Sequence, residues 1–112
     1  METSVASLKI VRVTADGRQI PITVEVGLPR QNSDAGEWYC PIQLAGIDDQ
    51  VRPAYGDDSL QALCIALRHI RSQLETVIEL GGRLIDAENG EDFPLEAYFG
   101  PTRNKSDGNL YG

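Results

Sequence analysis

The sequence GDDSLQALCIALRHIRSQLETVIELGG, residues 56–82, carries the pattern around which the rest of the chain is organised. Its apolar residues recur three and four positions apart, which predicts one amphipathic α-helix over Ser59–Leu80. Asp58 is placed to cap the first turn, and Gln61 three residues later completes a variant of the capping box. The pair Gly81–Gly82 predicts the end of the helix, because glycine adopts the left-handed conformation there at little cost. At 1.5 Å per residue such a helix is about 33 Å long, enough to cross a four-stranded sheet.

The apolar stripe of this helix predicts which of its residues enter the core. With Leu60 as origin and 100° per residue, the stripe centres at about 330°. His69 then falls at about 180°, on the outer side of the helix, where we expect it to be exposed and without a partner. The predicted core, strands included, consists of Ile22, Val24, Val26, Trp38, Cys40, Ile42, Leu60, Leu63, Cys64, Leu67, Ile70, Leu74 and Val77.

The residues on either side of the helix predict β-strands. A run of β-branched residues followed by Asp16–Gly17 indicates a hairpin, because glycine supplies the positive φ that the turn requires. Alternation of apolar and polar side chains in the next two segments indicates half-buried antiparallel strands. The fold class is therefore α+β, an antiparallel four- to five-stranded meander with one long helix packed across one face. The predicted strands are Val5–Thr14, Ile20–Leu28, Trp38–Leu44, a short Val51–Tyr55 and, after the helix, Arg83–Glu88.

The size and charge of the chain bound its organisation. The 112 residues are enough for one domain, which we place at residues 1–95, followed by an extended C-terminal tail over residues 96–112. The net charge of −7 argues against binding to nucleic acid or to anionic membranes, because both need a basic surface. Neither a signal peptide nor a membrane-spanning segment is predicted, so we expect a soluble cytoplasmic protein.

The residue types that carry chemistry are few, and we predict no catalytic residue, no cofactor and no metal site. Cys40 and Cys64 both fall on apolar stripes, which predicts two reduced thiols inside the core. The single histidine, His69, has too few cysteine or histidine neighbours for a zinc site. The acidic segment Asp86–Glu96 lacks the spacing of an EF-hand, and a solvated hairpin is preferred there over a cation site.

Two features of the helix do not fit a simple solvated exterior. Arg71 lies inside the apolar arc, so its stem follows the edge of the stripe to water or its guanidinium group pairs with an acid of the sheet. Around His69 the outer face carries little charge, which indicates a cover from the tail, a second subunit or another protein; its apolar residues are Ala62, Ile65, Ala66 and Leu80. The candidate interaction surface comprises Ala62, Ile65, Ala66, His69, Tyr98, Phe99 and Tyr111.

Several short motifs resemble those of an uncharacterised family of small bacterial domains of unknown function. The resemblance covers roughly Ile20–Leu95, about two-thirds of the chain. It implies a sheet-plus-helix fold and a bacterial origin. Because no activity is established for that family, the resemblance transfers no catalytic residue. The motifs are Glu37–Pro41 (EWYCP), Gly56–Leu63 (GDDSLQAL) followed by Ala66–Leu67, and Gly82–Leu84 with Phe93–Pro94.

Two functions of different classes are compatible with these features. We favour a non-enzymatic binding protein that engages another protein or itself, and a toxin-neutralising immunity protein is one example by analogy of size and charge. Self-association would give a homodimer centred on the open face of the sheet or on the Ile65 side of the helix. The alternative is a small-ligand-binding protein or minor enzyme, with a pocket between the helix start and the strand of Trp38.

Overall fold

The computed structural model describes residues 3–33 and 36–101 of the chain. These residues form six strands and two helices. The prediction of an α+β fold, with an antiparallel sheet and one long helix packed against it, is confirmed. In chain order the elements are β1 (Ser4–Val13), β2 (Gln19–Gly27), β3 (Arg30–Gln31), β4 (Trp38–Ala45), β5 (Asp48–Gly56), α1 (Ser59–Glu79), β6 (Arg83–Asp86) and α2 (Leu95–Phe99).

The strands of the described chain form one sheet in the order β5–β4–β2–β1–β6, and all neighbours are antiparallel. The short β3 continues β2 along the same edge of β4, after a register shift of one residue between the pairs Val26–Ile42 and Arg30–Tyr39. The polar residues of Arg30–Gly36 predict a loop, but the first two of them form β3 and pair with β4. Between the two edge strands, α1 carries the chain from β5 to β6.

Both ends of α1 have the predicted local structure. A side-chain oxygen of Asp58 accepts a hydrogen bond from the backbone nitrogen of Gln61 at 2.7 Å. The side chain of Gln61 accepts one from the backbone nitrogen of Asp57 at 2.6 Å, which completes a variant of the capping box. At the other end Gly81 has a φ of 90°, and its N–H donates to the carbonyl oxygen of Ile78 at 3.0 Å. This left-handed residue ends the helix as predicted.

The predicted core is right for the strands and wrong for part of the helix. Leu60 is 67% exposed, Leu67 is 38% exposed, and Cys64 is also exposed. The core instead contains Ala62 and Ala66, both 0% exposed, which the sequence places on the outer face. Buried apolar residues of the described chain are Ile10, Ile22, Val24, Val26, Cys40, Ile42, Leu44, Ala54, Ala62, Ala66, Ile70, Leu74, Val77, Leu84, Phe93 and Leu95, with Trp38 and Leu63 partly buried against them.

Close packing between small residues explains why α1 is rotated about its own axis relative to the prediction. A Cβ atom at Gly56 would lie 2.5 Å from the backbone nitrogen of Ala62, so the start of α1 approaches the end of β5 too closely for any larger residue. The buried face centres between Ala66 and Ile70, about 70° from the predicted stripe at 100° per residue. The larger side chains of that stripe are therefore left on the flank of the helix.

The segment after the domain is not extended where the structure describes it. The sequence predicts an extended tail from Glu96, but Leu95–Phe99 form the short helix α2. The ring of Tyr98 packs on that of Phe93, with the ring centres 4.6 Å apart. Residues 102–112, including the Tyr111 of the predicted interaction surface, lie outside the described residues.

Candidate functional site

An apolar groove lies between the two helices and the first two strands. The flank of α1 forms one wall, α2 forms the other, and side chains of β1 and β2 form the floor. The volume of the groove is about 280 Å³. We define this apolar groove by its lining residues, Ala6, Ser7, Leu8, Val24, Val26, Leu67, Ile70, Tyr98 and Phe99.

The apolar groove exists because α1 covers only part of the sheet. α1 packs chiefly against β4 and β5, so the helix side of β1 is incompletely covered and Leu8 stays half-buried. Leu67 and Tyr98 border the opening, and Tyr98 is 59% exposed. Leu60, two turns before Leu67 on α1, extends the same stripe and is also exposed. A continuous apolar surface therefore faces water on this side of the helix.

Arg71 holds α2 in place as a wall of the apolar groove. Its Nη1 donates to the carbonyl oxygen of Phe99 at 2.8 Å, and its Nη2 donates to that of Pro101 at 2.7 Å. Its Nε lies 3.3 Å from Oε1 of Glu75, one turn further along α1. The sequence leaves open whether Arg71 reaches water or pairs with an acid of the sheet. The structure shows a third arrangement, in which Arg71 joins α1 to the C-terminal segment.

A second groove, of about 450 Å³, lies on the other flank of α1 against β4 and β5. The sequence predicts a ligand pocket between the helix start and the strand of Trp38. This groove does lie against that strand, β4, but it faces the middle of α1, and Trp38 itself does not line it. Its floor is apolar and its rim is polar. We define this polar groove by its floor of Ile42, Leu44, Ala54 and Ile65, its rim of Asp48, Gln50, Arg52, His69 and Gln73, and the adjoining Pro53 and Tyr55.

The charges of the polar groove are organised around one ion pair. Nε of Arg52 donates to Oδ2 of Asp48 at 2.7 Å. This hydrogen bond is the main cause that lowers the pKa of Asp48, helped by the backbone N–H of Gln50 and, more weakly, by the charge of His69. The same pairing raises the pKa of Arg52. The groove therefore offers a fixed carboxylate, a guanidinium group and an imidazole above an apolar floor, an arrangement suited to binding a small polar molecule.

The predicted interaction surface is divided between these two grooves and the core. Ala62 and Ala66 are buried, so their place on that surface is wrong. Ile65 is half-buried and His69 is exposed, and both line the polar groove. Tyr98 and Phe99, by contrast, line the apolar groove.

Leu67, which sequence reasoning placed in the core, is a wall of the apolar groove. A signal for this was present, because α1 carries more apolar residues than one face can bury. Leu60, Cys64 and Leu67 follow one another on one stripe, and Ala62 and Ala66 follow on the next. The close approach between Gly56 and Ala62 needs small residues at that point, which accounts for the burial of the Ala62 stripe.

The two cysteines have different environments. Cys40 is a buried free thiol, as predicted, and its Sγ donates to the carbonyl oxygen of Gly27 at 3.5 Å. Burial raises the pKa of the Cys40 thiol. Cys64 is a free thiol on the exposed flank of α1, so its prediction as a core residue is wrong.

The acidic hairpin after β6 is held by its own hydrogen bonds. Oδ1 of Asp86 accepts from the backbone nitrogens of Glu88 and Asn89 at 2.7 and 3.2 Å. Asp92 pairs with Nη2 of Arg83 at 2.7 Å. Within residues 3–33 and 36–101, no three side chains of His, Cys, Asp or Glu converge to hold a metal ion. Nor is any helix in these ranges long and apolar enough to cross a membrane.

The face of the sheet opposite α1 carries paired aromatic and proline residues. Tyr39 lies opposite Tyr55, and Pro41 lies opposite Pro53, across the β4–β5 pair. A shallow groove of about 520 Å³ between this pair of strands and the loop after β3 is bordered by Tyr39, Pro53 and Tyr55. No described element covers this face.

Comparison with protein families identifies one match. A family model for a domain of unknown function, DUF6968, matches residues 9–96. Comparison with curated proteins and with solved structures finds no match. The polar groove lies wholly within the matched range. The apolar groove is built partly outside it, by Ala6, Ser7 and Leu8 on one side and by Tyr98 and Phe99 on the other.

Proposed function

The chain belongs to the DUF6968 family, whose function is unknown, and we propose that it is a non-enzymatic protein-binding module. The apolar groove is the observation that carries this proposal. Leu67 and the ring of Tyr98 expose large apolar surfaces to water at its opening, and the side-chain polar groups among its lining residues are two hydroxyls, those of Ser7 and Tyr98. Large apolar patches are uncommon on the surface of monomeric proteins and mark interaction sites.

The chemistry of the apolar groove favours a polypeptide over a small molecule. Pockets for small ligands place several polar groups that fix the orientation of the ligand, whereas this groove offers only the side-chain hydroxyls of Ser7 and Tyr98. The exposed stripe also continues along α1 to Leu60, which extends the apolar surface beyond the groove itself. A protein partner that inserts apolar side chains between α1 and α2 would bury both parts.

The charge of the chain adds a condition on this partner. The net charge of −7 repels acidic proteins and accelerates encounters with basic ones, mainly through the association rate. We therefore expect the partner to carry apolar anchors on a neutral or basic surface. Its association should slow as the salt concentration rises, while dissociation from the apolar groove changes little.

Site-specific photo-cross-linking of the full chain tests the proposal. A photoreactive amino acid replaces Leu67 at the apolar groove or, as a matched control, Ser72 on the exposed side of the same helix. In extract of the native cells, we expect irradiation to give a discrete protein adduct from position 67 and none from position 72. Mass spectrometry of the adduct identifies the partner and the peptide in contact. Equal labelling from both positions, or none from position 67, contradicts the proposal.

The polar groove favours a second candidate function, the binding of a small molecule. Asp48, Arg52 and His69 border it above an apolar floor, and all of it lies within the family match. A ligand with an apolar body and one ionised group fits this combination. A fragment screen tests this candidate, and the NMR resonances of the His69 imidazole report binding at the polar groove. Arg52→Gln should lose binding. Arg68→Gln is the control, and it should bind as the unmodified chain does. Unchanged binding to Arg52→Gln contradicts this candidate.

A further inference from the structure

β1 has a free edge beside the apolar groove. It pairs with β2 from Ser4 to Val13, with a register shift between Ser4 and Ala6, but it pairs with β6 only from Ile10 onwards. Within the described residues, the outer side of Ser4–Leu8 therefore has no neighbouring strand. An unpaired strand edge presents backbone donors and acceptors that another strand can use.

The backbone of Ser7 faces this free edge. The backbone nitrogen of Thr14 donates to the carbonyl oxygen of Arg18 at 2.8 Å, so the N–H and C=O of Thr14 point towards β2. Along an antiparallel pair these directions alternate from residue to residue. The odd-numbered Ser7, which lies within the regular register opposite Glu25, therefore directs its N–H and C=O away from β2.

The side chains of β1 give the free edge an apolar and a polar side. Ala6 and Leu8 line the apolar groove on the helix side of the sheet, and Val24 and Val26 continue the same floor on β2. Side chains of a strand added beside β1 would alternate in the same way. Every second side chain of that strand would enter the apolar groove next to Tyr98.

We propose that the apolar groove and the free edge of β1 together bind an extended segment of a partner protein as an added β-strand. The segment carries apolar side chains at every second position, and the backbone of Ser7 supplies main-chain hydrogen bonds. This inference rests on the proposed function and specifies the conformation of the partner. Strand addition of this kind takes affinity from the main chain and specificity from pockets for alternate side chains.

The composition of the two sheet edges supports this assignment. The outer edge strand β5 contains Pro53 and the charged pair of Asp48 and Arg52, which are features that discourage strand pairing. The free part of β1, Ser4–Leu8, contains neither proline nor charge. A helix docked in the apolar groove would leave this edge unpaired. A single extended segment uses both features, the free edge through its backbone and the apolar groove through its alternate side chains.

A displayed library of random peptides of about ten residues, the upper range of strand lengths, is the probe for this proposal. It is selected on the full chain, and enriched peptides are then measured on three variants. Ser7→Pro removes the outward N–H without removing a bond to β2, a change that edge strands tolerate. Ser7→Ala is the matched control, and Leu67→Asp places a charge in the apolar groove. Thermal unfolding of each variant shows that it is folded.

We expect enriched peptides to carry apolar residues at every second position. Their affinity should fall roughly tenfold or more on Ser7→Pro and on Leu67→Asp, and stay unchanged on Ser7→Ala. Loss on Leu67→Asp with full binding to Ser7→Pro overturns strand addition and leaves the protein-binding groove intact. Full binding to both variants, or no enrichment, overturns both proposals. A dimer of the full chain that Ser7→Pro dissociates also overturns this inference, because the occupant is then a second copy.

Discussion

The guanidinium group of Arg71 on α1 donates a 2.8 Å hydrogen bond to the carbonyl oxygen of Phe99, 28 residues further along the chain, and so joins α1 to α2. A second bond from the same group reaches Pro101 at 2.7 Å. Because Phe99 lines the apolar groove, these bonds decide whether the groove keeps its second wall. Without them, α2 would be attached by apolar contacts alone, those of Leu95 and Phe99 with the core and of Tyr98 with Phe93.

Replacing Arg71 with methionine should release α2 while the sheet stays folded. Hydrogen bonds that involve a charged group contribute about 1.5–3 kcal/mol, so amide exchange over residues 95–101 should accelerate roughly tenfold or more. Hydrogen exchange by mass spectrometry measures this. The control is Arg68→Met, on the exposed side of the same helix. Unchanged exchange over 95–101 in Arg71→Met would show that Arg71 does not hold α2.

Alanine substitutions of Leu74 and Leu67 test which face of α1 is buried, because the same change is made at one buried and one partly exposed position. Leu74 is 0% exposed, so Leu74→Ala should cost about 2–5 kcal/mol of unfolding free energy through the cavity it leaves. Leu67 borders the apolar groove, so Leu67→Ala should cost less than about 1.5 kcal/mol, because half-exposed side chains bury less area. Denaturant melts of both variants give the comparison. A larger loss of unfolding free energy for Leu67→Ala than for Leu74→Ala would contradict this buried face and favour the one that the sequence predicts.

The two cysteines should react at very different rates with a thiol reagent. Cys64 is exposed and should be labelled in the native protein. Cys40 is buried, and burial raises the pKa of its thiol, so it should be labelled only after unfolding. Mass spectrometry after timed labelling counts the modified residues. Rapid native labelling of Cys40 would contradict the packing of β4 against α1.

The ion pair of the polar groove should be visible in the titration of Asp48. Its pKa is lowered in the folded protein, chiefly by the hydrogen bond from Arg52. The pairing therefore adds stability above the pKa that Asp48 has in the unfolded chain, and this contribution is lost as the pH falls through the lower folded value. In Arg52→Gln, an NMR titration should show the pKa of Asp48 moving up towards its ordinary value. An unmoved pKa would contradict the pairing.

The sequence was sufficient to predict those elements that depend on interactions between residues close together in the chain. Asp58 and Gln61 lie three residues apart at the start of α1, and Gly81 follows its end, so each cap depends on near neighbours only. The strands follow from alternation in the same way. The two-residue β3 escaped prediction because its two residues are polar and its pairing depends on the position of β4.

The buried face of α1 and the position of α2 depend on contacts between distant residues. The choice between two apolar stripes follows from the fit of Ala62 against Gly56, which the helix periodicity does not contain. The position of α2 follows from Arg71, whose partner Phe99 could not be identified from spacing. The apolar groove depends on both of these contacts, the one between Ala62 and Gly56 and the one between Arg71 and Phe99. The sequence therefore predicted Tyr98 and Phe99 as surface residues, but it did not predict that Leu67 forms the opposite wall.

Calorimetric titration of the partner identified by cross-linking is the most direct test of the apolar groove as a protein-binding surface. The partner is titrated into the full chain, into Leu67→Asp, and into Ser72→Asp, which adds the same charge on the exposed side of α1. We expect Leu67→Asp to weaken the affinity roughly tenfold or more, because it buries a charge against apolar side chains, and Ser72→Asp to leave it unchanged. Equal affinity for all three proteins would contradict a binding surface between α1 and α2.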